Sequence, residues 1–500
     1  MIGVTDYNSS LVETQLVIDG EWRPSESGDR YEIHNPARPS ELVGTAAAAT
    51  AVDVDAAVRS AHRAFPDWAA LSYHERASYL RKVNEAVVAD EAELKERIKL
   101  FTREHGKVLR EATLELTRLG MRFELVADYA DRLSDDERLP GPPFDLIITR
   151  QPRGVAALVI PWNWPLSILG AKLPQALMAG NTVVIKPSRE SVLAPSITLR
   201  KIAEVLPPGV VNVVTGPSSR IGDPLLTHPL VRKINFTGGI ETGKHVMRLA
   251  AENLAHVTLE LGGNDAALVL EDAELNDQAF LKMYIGAFMT TGQICMAAKR
   301  FYVHESRFDE VVDGLSAFSS RQVVGDGTQP DVTMGPLNNE SQYDIVTSFI
   351  GEAKEAGSDV RELGSVHDES DFADGYFIKP TIVVDPDPGL QIVREEQFGP
   401  AIPILKFRND DEAVGLANDS EYGLCSSVWT EDRDRALAVA RRLEAGYTYL
   451  NAHGPAAQDS RGPFGGFKQS GFGRNLGYEG VLEFQEFHSI SSDPGFLFGS

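Results

Sequence analysis

The sequence predicts an α/β fold in which parallel strands are covered by helices. Apolar, β-branched runs occur at 155–160 and 182–185 with a helical pattern between them, which is typical of a βαβ unit. Strand patterns at 210–214 and 233–236 continue the series. A chain of 500 residues is too long to fold around a single hydrophobic core, so we expect two or three domains.

The segments on either side of this series are predicted in the same way. Helical spacing of apolar residues covers 53–68, 75–102 and 108–132, and a Pro- and Gly-rich break follows at 139–145. A second α/β block is expected from about Thr258, with strands around 266–269 and 301–304. The tail after about Glu483 is predicted to be separate and to pair with another subunit.

Composition restricts the class of protein. The net charge of −24 disfavours binding to nucleic acid or anionic membranes. No apolar stretch approaches the ~18 residues that span a bilayer, and no secretory signal pattern is visible at the N-terminus. The two cysteines, Cys295 and Cys425, do not suffice for a disulfide framework or a four-thiolate metal site. We therefore expect a cytoplasmic protein without a metal.

Two motifs favour a nucleotide-binding site. Gly238 and Gly239 follow a strand, and with Gly243 they would let backbone N–H groups approach a phosphate at a helix N-terminus. This is not the usual GxGxxG pattern, and alone a Gly pair after a strand is more often a simple turn. Lys186 and Ser188 lie at the carboxyl end of a predicted strand, which is where open α/β sheets bind ligands. Lys186 could equally be a solvent-exposed lysine with no ligand.

Three side chains are candidates for covalent chemistry. A lone cysteine is more often a small buried hydrophobe than a nucleophile, and Cys425 is interpreted in that way. Cys295 has two chemical partners elsewhere in the sequence. Glu260, in LELGG, is a candidate general base or a carboxylate that caps a turn. Asn163, in PWNWP, is a candidate donor to an oxyanion or an ordinary turn residue.

The order of these motifs along the chain resembles the aldehyde dehydrogenase superfamily. PWNWP, KPS, FTGG, LELGG, GQIC, EEQFGP and PFGGFKQSGFGR follow one another, and Cys295 lies 35 positions after Glu260 (295 − 260 = 35). The resemblance implies an aldehyde dehydrogenase-like α/β fold with three parts. These are a Rossmann-like cofactor domain, an α/β catalytic domain and a small β oligomerisation element.

The same resemblance implies approximate boundaries for these parts. The cofactor domain would comprise residues 1–127 and 149–257, and the catalytic domain residues 258–470. Bridging segments at 128–148 and 471–500 would join subunits into a homodimer or homotetramer.

The resemblance implies a reaction as well. Cys295 would attack the aldehyde carbon, and the Asn163 side chain and the Cys295 N–H would hold the oxyanion. Hydride would pass to NAD or NADP, and Glu260 would activate the water that hydrolyses the thioester. An ordinary thiol, with a pKa of about 8.5, is a few per cent thiolate at neutral pH, and we expect the cofactor and local amides to increase that fraction.

Two further sets of residues are assigned by the resemblance. Lys186 would bind the adenosine ribose, Gly238 and Gly243 the pyrophosphate, and Glu396 the nicotinamide ribose. The full cofactor set is Trp162, Lys186, Ser188, Arg189, Gly238, Gly239, Gly243, Leu261, Glu396 and Phe398. The substrate tunnel would be lined by Trp164, Ile168, Ala171, Ile294, Met296 and Phe464.

Three residues depart from the common pattern of the superfamily. Arg189 follows KPS, where a glutamate is usual. The carboxylate of the usual glutamate disfavours the 2′-phosphate of NADP, whereas an arginine could pair with that phosphate. We therefore favour NAD only because it is the common cofactor of the family. Gly239 supplies no hydroxyl where a serine is common. Asn475 replaces a glutamate, so a proton relay through that position would need another route.

The substrate is predicted from the size of the residues near the tunnel. Ala171 and the small residues of 452–462 predict a medium or bulky hydrophobic or aromatic aldehyde. Apart from Arg461, these segments show no cationic cluster that would bind the carboxylate of a semialdehyde. A semialdehyde dehydrogenase is nevertheless one alternative. A CoA-acylating dehydrogenase is a second alternative, and Glu260 argues against it because thiolysis needs no hydrolytic base. The alternative that is not an enzyme is a non-catalytic relative that serves as a structural or binding protein.

Overall fold

The computed structural model describes residues 11–499 and places most of them in two large sheets that are covered by helices. In that range the strands are β1 (Val12–Thr14), β2 (Leu16–Ile18), β3 (Glu21–Arg23), β4 (Arg30–Asn35), β5 (Arg38–Ala47), β6 (Glu137–Leu139), β7 (Asp145–Pro152), β8 (Val155–Val159), β9 (Thr182–Lys186), β10 (Val211–Val213), β11 (Val231–Thr237), β12 (His256–Glu260), β13 (Asp265–Val269), β14 (Ala298–His304), β15 (Val323–Val324), β16 (Asp359–Glu362), β17 (Ser365–Val366), β18 (Thr381–Val384), β19 (Ala401–Phe407), β20 (Cys425–Trp429), β21 (Tyr447–Leu450), β22 (Gly471–Phe472) and β23 (Gln485–Ser492).

The helices of the same residues form a consecutive series over 51–134 and mostly alternate with strands after that. They are α1 (Ala51–Ala70), α2 (Tyr73–Val88), α3 (Glu91–His105), α4 (Leu109–Ala127), α5 (Ala130–Ser134), α6 (Pro165–Gly170), α7 (Leu173–Met178), α8 (Leu193–Val205), α9 (Ser218–Leu226), α10 (Ile240–Ala250), α11 (Asp277–Phe288), α12 (Phe308–Ser319), α13 (Glu340–Glu355), α14 (Glu369–Asp374), α15 (Gln391–Arg394), α16 (Asp410–Asn418), α17 (Arg433–Ala440) and α18 (Gly477–Leu482). No helix within 11–499 is long and apolar enough to cross a membrane.

The first large sheet has the order β22-β12-β11-β8-β9-β10-β2-β3. Its five central strands, β12 to β10 in that order, are parallel. Strand β9 is buried along its whole length, as expected for a parallel strand with helices on both faces. The carboxyl ends of β8, β9, β11 and β12 therefore meet at one edge, where ligands of such sheets bind.

The second large sheet has the order β16-β18-β19-β14-β13-β20-β21. Glu260 ends β12 of the first sheet, and only four residues separate it from Asp265, which begins β13 of the second. Cys295 lies just before β14, the neighbour of β13. The two sheets thus meet where the candidate base and the candidate nucleophile lie. The predicted α/β fold with two strand–helix blocks is confirmed.

A small antiparallel sheet, with the order β23-β7-β6, joins the two predicted bridging segments. The tail is therefore not separate from the rest of the chain, because β23 pairs with β7 over eight residues. Strand β22 lies in the predicted bridging segment but pairs with β12 of the first large sheet. The exact domain boundaries stay a prediction.

Candidate active site

Cys295 and Glu260 lie side by side at the junction of the two large sheets. The Cys295 thiol donates to Glu260 Oε1 over 3.5 Å, and both residues are buried. Glu260 projects from the carboxyl end of β12, and Cys295 follows a 3₁₀ turn at Met289–Gly292. The 34 residues between them (294 − 261 + 1 = 34) include one strand and one helix, which return the chain to the same point.

The Asn163 side chain lies against the same loop. Its Nδ2 donates to the backbone carbonyl of Gln293 over 2.9 Å, two residues before Cys295. An amide has two N–H groups, so the second is available to an oxygen in the cavity. Among residues 11–499, the Cys295 backbone N–H donates to no protein acceptor. The structure thus places two available N–H donors at the loop that carries Cys295.

The loop before Cys295 has an unusual backbone. Thr290, Thr291 and Gly292 have φ values of 51°, 58° and 72°, a left-handed region that costs energy for residues with a Cβ. A Cβ at Gly292 would lie 2.2 Å from the Gly399 carbonyl oxygen, so only glycine fits there. The Gln293 side chain stabilises the loop, because it donates a hydrogen bond to Thr290 O and accepts one from Asn338 N. Local sequence would not suggest this conformation, which the surrounding contacts impose.

In the protein without a cofactor, the pKa of the Cys295 thiol is raised, and an effect of the cofactor on its acidity stays a prediction. Burial raises its pKa well above the usual value, and the neighbouring Glu260 carboxylate raises it further. The positive charge of Lys299 acts in the opposite direction with a smaller effect. In the protein alone the group is therefore a thiol at neutral pH, and Glu260 Oε1 is placed to take its proton.

Glu260 is held by a polar network on the side away from the sulfur. Its Oε2 accepts from Thr237 Oγ1 over 3.0 Å and from Asn475 Nδ2 over 3.4 Å. Asn475 Oδ1 accepts in turn from Asn235 Nδ2 over 2.8 Å, and Asn235 accepts from the ammonium of Lys172. Because an amide does not titrate near neutral pH, Asn475 orients the carboxylate without exchanging protons with it.

A cavity of about 180 Å³ opens on this group of residues. Its walls include Asn163, Glu260 and Cys295. All six residues that the sequence assigned to the substrate tunnel also line it, namely Trp164, Ile168, Ala171, Ile294, Met296 and Phe464. The cavity, called the tunnel below, is mostly apolar beyond the catalytic group.

Two arginines that sequence reasoning missed also line the tunnel. Arg118 and Arg122 project from α4, and both continue into the outer opening, where Arg461 lies. Within the described part of the chain, no carboxylate lies within 4 Å of Arg118 or Arg122, and Arg122 has a buried guanidinium nitrogen without a hydrogen-bond partner. Burial lowers the pKa of Arg122 to about 10, and the positive charge of Arg118 contributes to this in the same direction. The segments that the sequence assigned to the tunnel include only Arg461 of these three arginines, so the other two were not considered.

A second cavity, of about 230 Å³, meets the first at Asn163 and Cys295. Six of the ten residues predicted to bind the cofactor line it, namely Trp162, Gly238, Gly239, Leu261, Glu396 and Phe398. It lies beyond the carboxyl ends of the strands of the first large sheet. No heavy atom lies within 4 Å of the point where a Cβ on Gly239 would stand, so the backbone at the start of α10 is open to a ligand. These features fit a dinucleotide whose phosphates approach a helix N-terminus.

Glu396 is held at the wall of this second cavity. It accepts from the Gly263 N–H over 3.1 Å and pairs with Lys299 at 3.3 Å. Gly262 allows this approach, because a Cβ there would lie 2.3 Å from Glu396 Oε2. Lys299 also donates to the Cys295 carbonyl over 2.8 Å, which connects this cavity wall to the backbone of the nucleophile.

The remaining predicted cofactor residues lie outside this cavity. Lys186 is buried at the end of β9, where burial lowers its pKa to about 8, whereas Ser188 is half-buried and Arg189 is exposed. Gly243 does not present its N–H to a phosphate, because that group donates to Gly239 O within the helix. A Cβ on Gly243 would lie 2.6 Å from Leu261, so this glycine lets α10 pack closely.

One face of α4 supplies most of the site residues that the sequence did not reveal. Glu111, Glu115, Arg118 and Arg122 stand at i, i+4, i+7 and i+11, which places them along one side of a helix. In an amphipathic helix that packs on a core, such a row is normally apolar. Charged residues on the buried side were the signal that could have identified them.

The fold and the two joined cavities define a dinucleotide-dependent oxidoreductase with a cysteine at the point of reaction. Residues 22–490 match the aldehyde dehydrogenase family. The chain is 39% identical over 494 residues to a chloroplastic betaine aldehyde dehydrogenase of Beta vulgaris, with 96% of each chain covered. It is 35% identical over 483 residues to an NADP⁺ succinate-semialdehyde dehydrogenase of Escherichia coli, which covers 96% of this chain and 98% of that one.

A solved structure agrees with these relatives. Betaine aldehyde dehydrogenase of Staphylococcus aureus in complex with NAD⁺ superimposes with a TM-score of 0.89 at 31% identity, covering 96% of this chain and 95% of that one. The chain belongs to the aldehyde dehydrogenase family. It is an enzyme that oxidises an aldehyde to a carboxylic acid with NAD or NADP.

Proposed function

We propose that Cys295, Glu260 and Asn163 carry out this oxidation through a covalent thioester. The observation that supports the proposal most directly is the contact of 3.5 Å between the Cys295 thiol and Glu260 at the junction of the two cavities. The thiol adds to the aldehyde carbon as its proton passes to Glu260 Oε1. Asn163 Nδ2 and the Cys295 N–H then hold the oxyanion of the adduct.

The second half of the reaction uses the same residues. The bound nicotinamide accepts the hydride that leaves the adduct, and Cys295 is left as a thioester. Glu260 releases the thiol proton to solvent and then takes a proton from water, whose oxygen attacks the thioester carbon. The acid leaves, and the proton on Glu260 returns to the sulfur. One aldehyde and one water thus yield one acid and one released proton, with a hydride passed to the cofactor.

Glutamate in place of Arg189 is expected to shift the cofactor preference towards NAD. A carboxylate beside Ser188 would repel the 2′-phosphate of NADP, which the guanidinium can pair with. We expect the ratio of kcat/KM for NADP to kcat/KM for NAD to fall at least about tenfold, measured as the initial rate of reduced cofactor formation.

A control for this change is Arg200→Glu, since Arg200 is a partly exposed arginine that pairs with Glu204 on α8. It should leave the NADP/NAD ratio unchanged. An unchanged ratio in Arg189→Glu itself would show that Arg189 does not contact the 2′ position.

The charge of the tunnel supports a substrate with an anionic end. The apolar walls fit the hydrocarbon part of a substrate, while Arg118 and Arg122 lie towards the outer opening. In that opening three arginines face one aspartate, Asp459, which pairs with Arg461. We infer an aldehyde with a carboxylate remote from the carbonyl, that is, a semialdehyde of a dicarboxylic acid.

The names of the relatives point to aldehydes of different charge. The positive charge of this tunnel favours the aldehyde with a carboxylate. A trimethylammonium or amino group would meet unpaired guanidinium groups, whereas the carboxylate of a semialdehyde would pair with them. The relatives do not support an uncharged hydrophobic or aromatic aldehyde as the substrate. They do not support the CoA-acylating alternative either, and Glu260 beside Cys295 provides the base that hydrolysis requires.

Leucine in place of Arg122 is expected to weaken the preference for an anionic substrate. The test compares kcat/KM for 6-oxohexanoate, heptanal and an aldehyde of similar length that ends in trimethylammonium. The native enzyme should prefer the anion over the neutral aldehyde by roughly 10- to 100-fold, the range of a charged hydrogen bond in a partly buried site. In Arg122→Leu the ratio should fall about tenfold, because one of the two tunnel guanidinium groups is removed while Arg118 remains.

The matched control is Arg59→Leu, which removes an exposed arginine of α1 that pairs with Asp55. It should keep the native ratio. Equal kcat/KM for 6-oxohexanoate and heptanal in the native enzyme would contradict the assignment of an anionic substrate.

We also propose that the β23-β7-β6 sheet joins subunits into a homodimer or homotetramer. Within residues 11–499, β23 pairs on one side only, and its Phe487 and Ile490 are 65% and 41% exposed. Light scattering of Phe487→Glu should show a smaller particle than the native protein. A native monomer would contradict the proposal. A cytoplasmic location stays a prediction.

A further inference from the structure

A buried ion pair lies beneath the loop that carries Asn163. Lys107 pairs with Glu115, and both side chains are 0% exposed. The Lys107 ammonium also donates to the Asn163 backbone carbonyl over 3.1 Å, and His105 Nε2 donates to the same oxygen over 2.7 Å. Because apolar residues often replace a buried ion pair without loss of stability, stability alone does not explain this pair.

The second oxygen of Glu115 holds the loop on its other side. Glu115 Oε1 accepts from the backbone N–H of Leu166 over 2.7 Å and from that of Ser167 over 3.0 Å. The pair therefore contacts the backbone at Asn163 itself and again three and four residues further on. These contacts fix the position and direction from which the Asn163 side chain leaves the loop.

The same helix also holds the loop of the nucleophile. Glu111, one turn before Glu115 on α4, accepts from the Thr290 N–H over 3.0 Å. Thr290 is the first of the left-handed residues before Cys295. Helix α4 is thus bonded to the loop of each oxyanion donor, so it sets the distance between Asn163 Nδ2 and the Cys295 N–H.

We propose that the Lys107–Glu115 pair is a positioning element of the oxyanion hole. The inference rests on the proposed function of Asn163 and Cys295. Donors stabilise an oxyanion only when they stand about 2.7–3.1 Å from it, and a displacement of ~1 Å can cost ~10²-fold in rate. The pair acts through Asn163 and touches neither the substrate nor the sulfur.

A double-mutant cycle with Asn163 tests this inference. Lys107→Met with Glu115→Gln removes both charges together, so that no single charge is left buried. We expect the rate of the first turnover, measured as the burst of reduced cofactor, to fall ~100-fold in the otherwise native enzyme. In an Asn163→Ala background the same two substitutions should cost less than about threefold, because the group that they position is absent.

A purely structural role for the pair predicts a different outcome. The cost would then be the same in both backgrounds, and that result would overturn the inference. A first turnover unchanged by Asn163→Ala alone would show that the proposed function of Asn163 has failed, and it would overturn the inference as well. Thermal unfolding measured on every variant shows that the proteins compared are folded.

Two further variants complete the test. Lys95→Met with Glu91→Gln makes the same substitutions in an exposed ion pair on α3 and should leave the burst rate unchanged. If the buried double variant does not fold, Lys107→Arg keeps the pair but displaces the donor to the Asn163 carbonyl. It should slow the first turnover about tenfold only where Asn163 is present, and equal slowing in both backgrounds would again overturn the inference.

Discussion

Alanine in place of Cys295 is expected to lower kcat for aldehyde oxidation by roughly 10⁴-fold or more. The substitution removes the atom that forms the bond to the aldehyde carbon, and a free aldehyde is a poor hydride donor. Binding of the dinucleotide should persist, because the other walls of its cavity are unchanged. The measurement is the formation of reduced cofactor at saturating aldehyde, together with a titration of cofactor binding.

Cys425 is the natural control for this prediction. It is the other cysteine of the sequence, and it is buried on β20, where its backbone N–H donates to Asp265. Cys425→Ala should therefore affect stability but keep kcat within about threefold of the native value, as for a cysteine that serves as a small core residue. Turnover of Cys295→Ala at the native rate would refute the covalent mechanism.

Glutamine in place of Glu260 is expected to separate the two halves of the reaction. The amide has nearly the same shape but cannot accept a proton from water, so we expect steady-state kcat to fall by roughly 10²–10⁴-fold. A burst of about one reduced cofactor for each active site should remain at alkaline pH, because the thiol can then ionise without Glu260 and form the thioester. Rapid mixing with a saturating aldehyde measures the burst and the steady rate in one experiment.

The pH dependence of that burst carries a further signature. Burial keeps the pKa of Cys295 well above its usual value, so the reactive thiolate is the minor form at neutral pH. Without Glu260 as proton acceptor, the burst rate should rise about tenfold for each pH unit until the thiol is ionised. A lost burst with an unchanged steady rate of hydrolysis would contradict the assigned role of Glu260.

Most of the fold was predictable because its signals are local. Strands such as β8 and β9 are short apolar runs with helical segments between them, and burial on both faces imposes that composition. The pairing of β22 with β12 was not predictable in this way. Gly471 and Phe472 form a strand of two residues, whose partner is set by tertiary packing and not by its own sequence.

The candidate site was predictable where the motifs lie close to the chemistry. Asn163, Glu260 and Cys295 occupy turns or strand ends, and the structure brings all three to one cavity. The role of Gly243 stays a prediction, because a glycine that allows close packing, as this one does against Leu261, has the same sequence signal as one that admits a phosphate. Arg118 and Arg122 were missed because their approach to the tunnel depends on how α4 packs.

The most direct test of the account is to identify the acyl-enzyme itself. Glu260→Gln is mixed with NAD⁺ and aldehyde, quenched in acid after the burst and digested for mass spectrometry. We expect the acyl group of the substrate on the peptide that contains Cys295, in a ratio to reduced cofactor of about one. Reduced cofactor formed without that adduct, or an adduct found on Cys425 instead, would contradict the claim that Cys295 carries the substrate through oxidation.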